Sequence, residues 1–259
     1  MGFSLRVDQC LNFCCEMARQ LNQNGAEMYR VEESARRILD SYGYNAHEVF
    51  AIPSCILITI QWEGRNYTKS VRILRSTNNL DKLEKLNSLS RRVCLTKLPL
   101  DEAEQELLAI LAAPDYPWPI SYLGHGCAAL FFSLLFGGTL ADACVAFLSG
   151  LLVKRTVTGL TKRGVNAFFI NLVASLFMVA VPVLLRFAGL PVQPDKVIIG
   201  AIMLLVPGVA ITNVMRDVIA GDFLTAISKL AEVLIVALAI AIGIALAYVL
   251  TGALLGGAA

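Results

Sequence analysis

The chain has 259 residues, 56% apolar and 16% charged, with a formal net charge of +2, and its mean hydropathy is +0.65. That apolar share exceeds the usual one for soluble domains, which weighs against a wholly soluble protein. No basic cluster with interleaved aromatics points to nucleic acid. Charge is unevenly placed: residues 1–117 hold 14 Lys/Arg and 15 Asp/Glu, residues 118–259 only 8 and 5. A soluble domain, 1–117, followed by a membrane domain, 118–259, is the expected organisation.

The N-terminal stretch lacks a basic segment followed by an apolar core, so no signal peptide is expected. The periodicity predicts a helix over Leu5–Asn22, with Val7, Leu11, Cys14 or Cys15, Ala18 and Leu21 on one side. Asn24-Gly25 ends it. A second helix, Glu27–Tyr42, carries the apolar stripe Met28, Val31, Ala35, Ile38, Leu39 and Tyr42. Glu27, Arg30 and Ser34 lie along one edge of that stripe, while Glu32–Arg36 and Glu33–Arg37 form i,i+4 pairs on the outer face. For the outer pairs a solvated ion-pair face is the plainer reading; Glu27 and Arg30 border the buried stripe and remain open to a functional one.

Three runs rich in Ile, Val, Thr and aromatics follow, Glu48–Ala51, Cys55–Trp62 and Tyr67–Leu74, with Glu63-Gly64-Arg65-Asn66 as a hairpin turn. Helices over Asn79–Val93 and Leu100–Leu111 complete an α+β domain of order ααβββαα. No nucleophile elbow, P-loop or GxGxxG is present, and His47 with Ser54 or Cys55 makes no recognisable catalytic motif, so the domain is not read as an enzyme. The seven cysteines (Cys10, Cys14, Cys15, Cys55, Cys94, Cys127, Cys144) include no CxxC pair. They suit a reducing compartment and buried packing better than a disulfide or metal role, and neither metal nor cofactor is expected.

Pro114, Pro117 and Pro119 mark the boundary, with Tyr116 and Trp118 as interfacial anchors. Five apolar spans are expected in an all-α membrane domain, at about 119–137, 139–157, 165–188, 195–212 and 227–252. Lys154, Arg155, Lys162 and Arg163 form the densest basic cluster of this half, so the positive-inside rule places that loop, and the N-terminal domain with it, in the cytoplasm. With an odd span count and no internal repeat, an inverted second half would have to come from a partner chain.

The strongest functional signal is PGVAITNVMRDVIAGD, Pro207–Asp222. Pro207-Gly208 removes an N–H and loosens the backbone. Thr212, Asn213, Asp217 and Asp222 then bring hydroxyl, amide and carboxylate groups to one place. Broken, polar backbone at membrane depth is tolerated where it is buried in protein or lines a wet cavity, so this stretch reads as a transport-pathway element. Three further ionisable residues fall in or near the spans: His125, Asp142 and Glu232. Each has a plainer alternative to proton coupling: a neutral histidine bonded to a facing helix, a helix-start carboxylate, and a snorkelling local pair with Lys229.

These pieces together resemble the threonine/serine exporter family in its split, two-polypeptide form. The resemblance rests on GAEMYRVE (Gly25–Glu32, including Glu27, Arg30 and Glu32), Gly43-Tyr44 with VFAIP (Val49–Pro53), and NLDKL from Asn79 with Asn87. It continues through LFGG (Leu135–Gly138), PGVAITN (Pro207–Asn213), Asp217 and Gly221-Asp222. One departure is Ser54-Cys55, where the family pattern has Thr-Gly. The resemblance implies a multi-pass protein of the bacterial inner membrane that exports small polar metabolites, threonine and serine or dicarboxylates such as succinate. It further implies that the proton gradient drives export and that a second, smaller membrane subunit takes part. The rival from a different class is a membrane-anchored metabolite sensor, for which a polar, Pro-Gly-broken span would be superfluous.

Overall fold

The computed structural model describes residues 2–74 and 76–254. Met1, Arg75 and the last five residues of the expected membrane domain lie outside them. The chain divides into two compact units. One runs to Pro114 and takes in Gly208–Ala231; the other comprises Asp115–Pro207 and the chain from Glu232 onward.

The first unit opens with helices α1 (Gly2–Gln23) and α2 (Met28–Ser41) and strands β1 (His47–Ile52), β2 (Cys55–Trp62) and β3 (Arg65–Arg72). Helices α3 (Leu80–Thr96) and α4 (Leu100–Ala112) follow. The sheet is an antiparallel meander, β1-β2-β3, with Val49 opposite Ile58 and Ile58 opposite Lys69. Alternation along β2 buries Ile56, Ile58 and Ile60 completely while Leu57 and Thr59 face outward. The three isoleucines pack in one core with Phe13, Met17 and Leu21 of α1 and with Val31, Ile38 and Leu39 of α2. Each such side chain contributes about 1.5–3 kcal/mol by leaving water. The expected stripe on α2 is the buried face except for Tyr42, which caps the helix and donates its hydroxyl to the Leu98 carbonyl at 2.7 Å.

The hairpin turn is tighter than its sequence suggests. Glu63 and Gly64 both have positive φ, Trp62 pairs with Arg65, and Asn66 already lies in the strand opposite Gln61. This is the two-residue turn whose twist matches that of paired strands. All seven cysteines are free thiols, and Cys10, Cys14 and Cys15 are buried in the α1 core. Burial pushes the Cys15 thiol up to about 11, which keeps it protonated and unreactive at neutral pH.

The second unit holds α5 (Trp118–Leu135), α6 (Leu140–Lys162), α7 (Ala167–Phe187), α8 (Pro194–Ile202) and most of α10 (Phe223–Leu254). Between α8 and α10 the chain forms α9 (Gly208–Ile219), which belongs to the first unit. Among the described residues four helices, α5, α6, α7 and α10, combine the length and apolarity needed to cross a membrane. The expected fourth span, 195–212, is not among them. Its helix stops at Ile202, and the carbonyls of Ala201 and Ile202 accept from Leu204 and Leu205 in a tight turn. Pro207 then has no N–H to continue a helix and disfavours helical backbone at Val206. The nine residues of α8 reach only about 14 Å, less than half a hydrocarbon core.

With lipid outside, these helices gain little from hiding apolar surface and instead pack closely where side chains are small. A Cβ on Gly200 would fall 2.7 Å from the Ala129 carbonyl oxygen of α5, and one on Gly150 2.8 Å from the His125 carbonyl oxygen. A Cβ on Gly243 of α10 would run into Ser175 and the Leu172 carbonyl of α7, whereas Gly252 has open space. Gly243→Val is therefore expected to lower the thermal stability of the detergent-solubilised protein by about 1–3 kcal/mol or more. Gly252→Val serves as the near-neutral control; equal melting temperatures for the two would contradict this packing.

Candidate functional site

Helix α9 is short, and its polar residues fall at helical spacing. Asn213 and Asp217, four residues apart, share one side with Val214, and all three are buried. Ile211, Met215, Val218 and Ile219 are exposed. The buried side meets the turn between α1 and α2. The Asn213 side-chain amide donates to the carbonyl oxygen of Gly25 at 3.1 Å. Gly25 has φ +99°, a left-handed backbone that only glycine adopts without strain, and a Cβ there would meet the Asn78 side chain at 2.8 Å. Three residues after Asn213, Arg216 pairs with the carboxylate of Glu27, two residues after Gly25.

Glu27 precedes α2 in extended backbone and makes no side-chain cap bond, so its carboxylate is available to its neighbours. It is 12% exposed and also has Arg30 at 3.4 Å. Arg30 donates to the Tyr29 hydroxyl at 3.0 Å. That bond, and the Glu27 charge after it, hold the guanidinium pKa above its ordinary value, so Arg30 is firmly cationic.

Asp217 is fully buried. Its Oδ2 accepts from the ammonium of Lys229 in the first turns of α10 at 2.9 Å, and Lys229 is itself 13% exposed. The second carboxylate oxygen, Oδ1, has no hydrogen-bond partner among the described residues. A buried carboxylate with one bonded oxygen is an incompletely satisfied charge, of the kind that structures retain where a ligand or proton completes it. Within one unit the fold thus gathers Glu27, Arg30, Asn213 and Asp217 from the sequence-derived candidates. It adds Arg216, to which the sequence reading gave no site role, and Lys229, which that reading took as the local partner of Glu232 and which pairs instead with Asp217. Their signal was position, since Arg216 lies within the polar break and Lys229 shortly after it.

Other candidates have different surroundings. Pro207 and Gly208 make the break itself. The Thr212 hydroxyl donates to the Gly208 carbonyl at 3.0 Å on the exposed side of α9, so it is occupied within its own helix. Asp222 accepts from the backbone N–H of Thr225 at 3.2 Å and caps α10. It also borders a cavity of about 450 Å³ that includes Glu32 and Arg36. Glu32 accepts from the Ala51 N–H at 2.8 Å and from Arg36 at 2.8 Å, fastening β1 to α2.

His125, Asp142 and Glu232 belong to the second unit. His125 Nδ1 lies 2.8 Å from the Ser121 carbonyl oxygen of its own helix. With Lys154, Thr161 and Asn171 it lines a cavity of about 250 Å³, otherwise walled by apolar side chains. Asp142 is fully buried and structurally saturated. Its Oδ2 takes bonds from the Thr139 N–H and hydroxyl, each at 2.8 Å, and its Oδ1 takes one from the Gln193 N–H at 2.7 Å. It caps α6 and ties the start of α6 to the start of α8, as a helix-start carboxylate would. Glu232 is exposed.

The Asp217–Lys229 pair makes a stability prediction separable from activity. Lys229→Met leaves a buried carboxylate unpaired and is expected to destabilise the protein by about 3–5 kcal/mol. Adding Asp217→Asn should recover most of that loss in a thermal unfolding measurement. A double variant as unstable as the single would show that the two groups do not act as a pair.

The family model described as "Putative threonine/serine exporter" matches residues 12–251. A threonine/serine exporter of Corynebacterium glutamicum is 23% identical over 93% of this chain and 51% of its own length. A "probable threonine/serine exporter" of Mycobacterium tuberculosis is 23% identical over 93% of this chain and 46% of its own. Pheromone-regulated membrane protein 10 of Saccharomyces cerevisiae is 26% identical over 68% of this chain and 22% of its own. The chain spans about half the length of the two bacterial relatives, and no solved structure matches it. It belongs to the threonine/serine exporter family.

Proposed function

We propose that this chain is a working part of a secondary exporter for small polar metabolites, and that the α9 cluster is its substrate and coupling site. The observation that carries the reading is the buried pair between Asp217, on the helix that follows the Pro207 break, and Lys229 in the first turns of α10. Family membership supports a membrane exporter, and the site chemistry suits the substrate. An amino acid presents a carboxylate and an ammonium together. Arg216 and Lys229 are donors for the first, and Asp217 and Glu27 are acceptors for the second. A dicarboxylate such as succinate would use the cations alone.

In this reading the proton gradient acts through Asp217. While ionised, its carboxylate holds Lys229; protonation removes that attraction and frees the ammonium for the substrate carboxylate. Asn213 and the Gly25 carbonyl register α9 on the α1–α2 turn as this happens. The N-terminal unit is cytoplasmic and the protein sits in a bacterial inner membrane. A second, smaller membrane subunit, or further copies of this chain, completes the pathway.

Efflux of labelled threonine, serine and succinate from preloaded cells tests the assignment. Asp217→Asn is expected to lower efflux by about tenfold or more, the equivalent of losing about 1.4 kcal/mol of discrimination. Asp222→Asn should stay within about twofold of wild type, because Asn caps a helix nearly as well as Asp. Undiminished efflux in Asp217→Asn would refute the coupling role. It would also favour the second reading, a membrane-anchored metabolite sensor, towards which the yeast relatives, named for regulation by pheromone, point.

A further inference from the structure

The first unit contains a cavity that the exporter reading leaves unused. It lies between α2 and α3 and has a volume of about 490 Å³, within the range of small-molecule sites. Arg30 and Arg37 of α2 and Arg91 of α3 line it, against the single carboxylate of Glu33. The buried Ser90 and the half-buried Asn87 of α3 add a hydroxyl and an amide. Every one of these groups except the glutamate can donate a hydrogen bond. An excess of guanidinium forks beside neutral donors is the arrangement that recognises carboxylates and phosphates in bidentate fashion.

These arginines are also easy to recruit. Arg37 and Glu33 form a 2.6 Å pair, but both side chains are largely exposed, and such pairs contribute about 0–1 kcal/mol. Arg91 has no ion-pair partner among the described residues. Arg30 is held at 3.4 Å from Glu27, beyond a close charged hydrogen bond. A ligand with a single negative charge would satisfy one fork and leave the others facing one another. A ligand with two or three negative charges offsets all of them. We propose that the α2–α3 cavity is a binding site for a small organic polyanion, such as a di- or tricarboxylate or a phosphate ester.

Arg30 gives the site a consequence beyond binding. It lines the cavity and is also the second partner of Glu27, whose other partner is Arg216 of α9. A polyanion that draws Arg30 toward α3 leaves Glu27 to Arg216 alone and tightens α9 on the α1–α2 turn. The site is thus placed to report a cytoplasmic metabolite level to α9.

Citrate, titrated calorimetrically into the full detergent-solubilised protein at low salt, is the probe. Saturable binding that weakens at least about tenfold in both Arg91→Gln and Arg37→Gln is the expected result, the loss of one charge-assisted contact each. Arg65→Gln, in the exposed β2–β3 hairpin, should leave the affinity unchanged. The pair variant Asp217→Asn with Lys229→Met should also retain citrate binding, so failure of the exporter reading does not touch this one. Absence of saturable binding, affinity indifferent to both cavity arginines, or an equal loss in Arg65→Gln would overturn the proposal.

Discussion

A carboxylate removed from water must be met by a cation or by a full set of hydrogen-bond donors, and the placement of α9 follows from that constraint at Asp217. The side chain is fully buried, and Lys229, twelve residues on, is the cation that meets it. To bring the two together the chain must end α9, turn through Gly221-Asp222 and start α10 within a few residues. The N–H groups of Gly221 and Asp222 return to the Val218 and Asp217 carbonyls, and Asp222 then caps the next helix. The polarity that marks Pro207–Asp222 in the sequence thus serves two ends. Asn213, Arg216 and Asp217 face protein partners, while Thr212 and Asp222 largely satisfy the local backbone.

A division of labour among the carboxylates follows. Asp142 and Glu32 are saturated by backbone N–H groups and neighbouring side chains, and they fasten elements together. Glu27 and Asp217 are held mainly by the charged ends of long, movable side chains, and Asp217 keeps one oxygen without a partner among the described residues. Carboxylates of the first kind have little left to offer a proton or a ligand. Those of the second kind can exchange partners, which is why the functional proposal rests on them.

Much of the first unit was legible in the sequence because its signals are local. Period-two alternation in Cys55–Trp62 and the stripe from Met28 to Leu39 are properties of a few adjacent residues, and packing obeys them. The membrane half was harder to read for a definite reason. Summed apolarity over 195–212 describes a span, but hydropathy takes no account of the missing N–H at Pro207, which divides the segment into α8 and α9. The partnership of residues 25–27 with 213–216 left no trace in any periodicity, since it joins positions 188 residues apart. Arg216 and Lys229 were visible as charges; only the fold shows that each faces a carboxylate.

That separation also bears on how the protein is made. At about 5–20 residues per second, residues 25–27 are synthesised roughly 10–40 s before their partners on α9. In that interval the N-terminal segment has its sheet and helical core but lacks the helix that covers Glu27 and the Gly25 carbonyl. The loop that must close is long, though the entropic penalty grows only with the logarithm of its length. Completion of the first unit therefore waits on synthesis of α5 to α8, so its assembly is tied in time to membrane insertion.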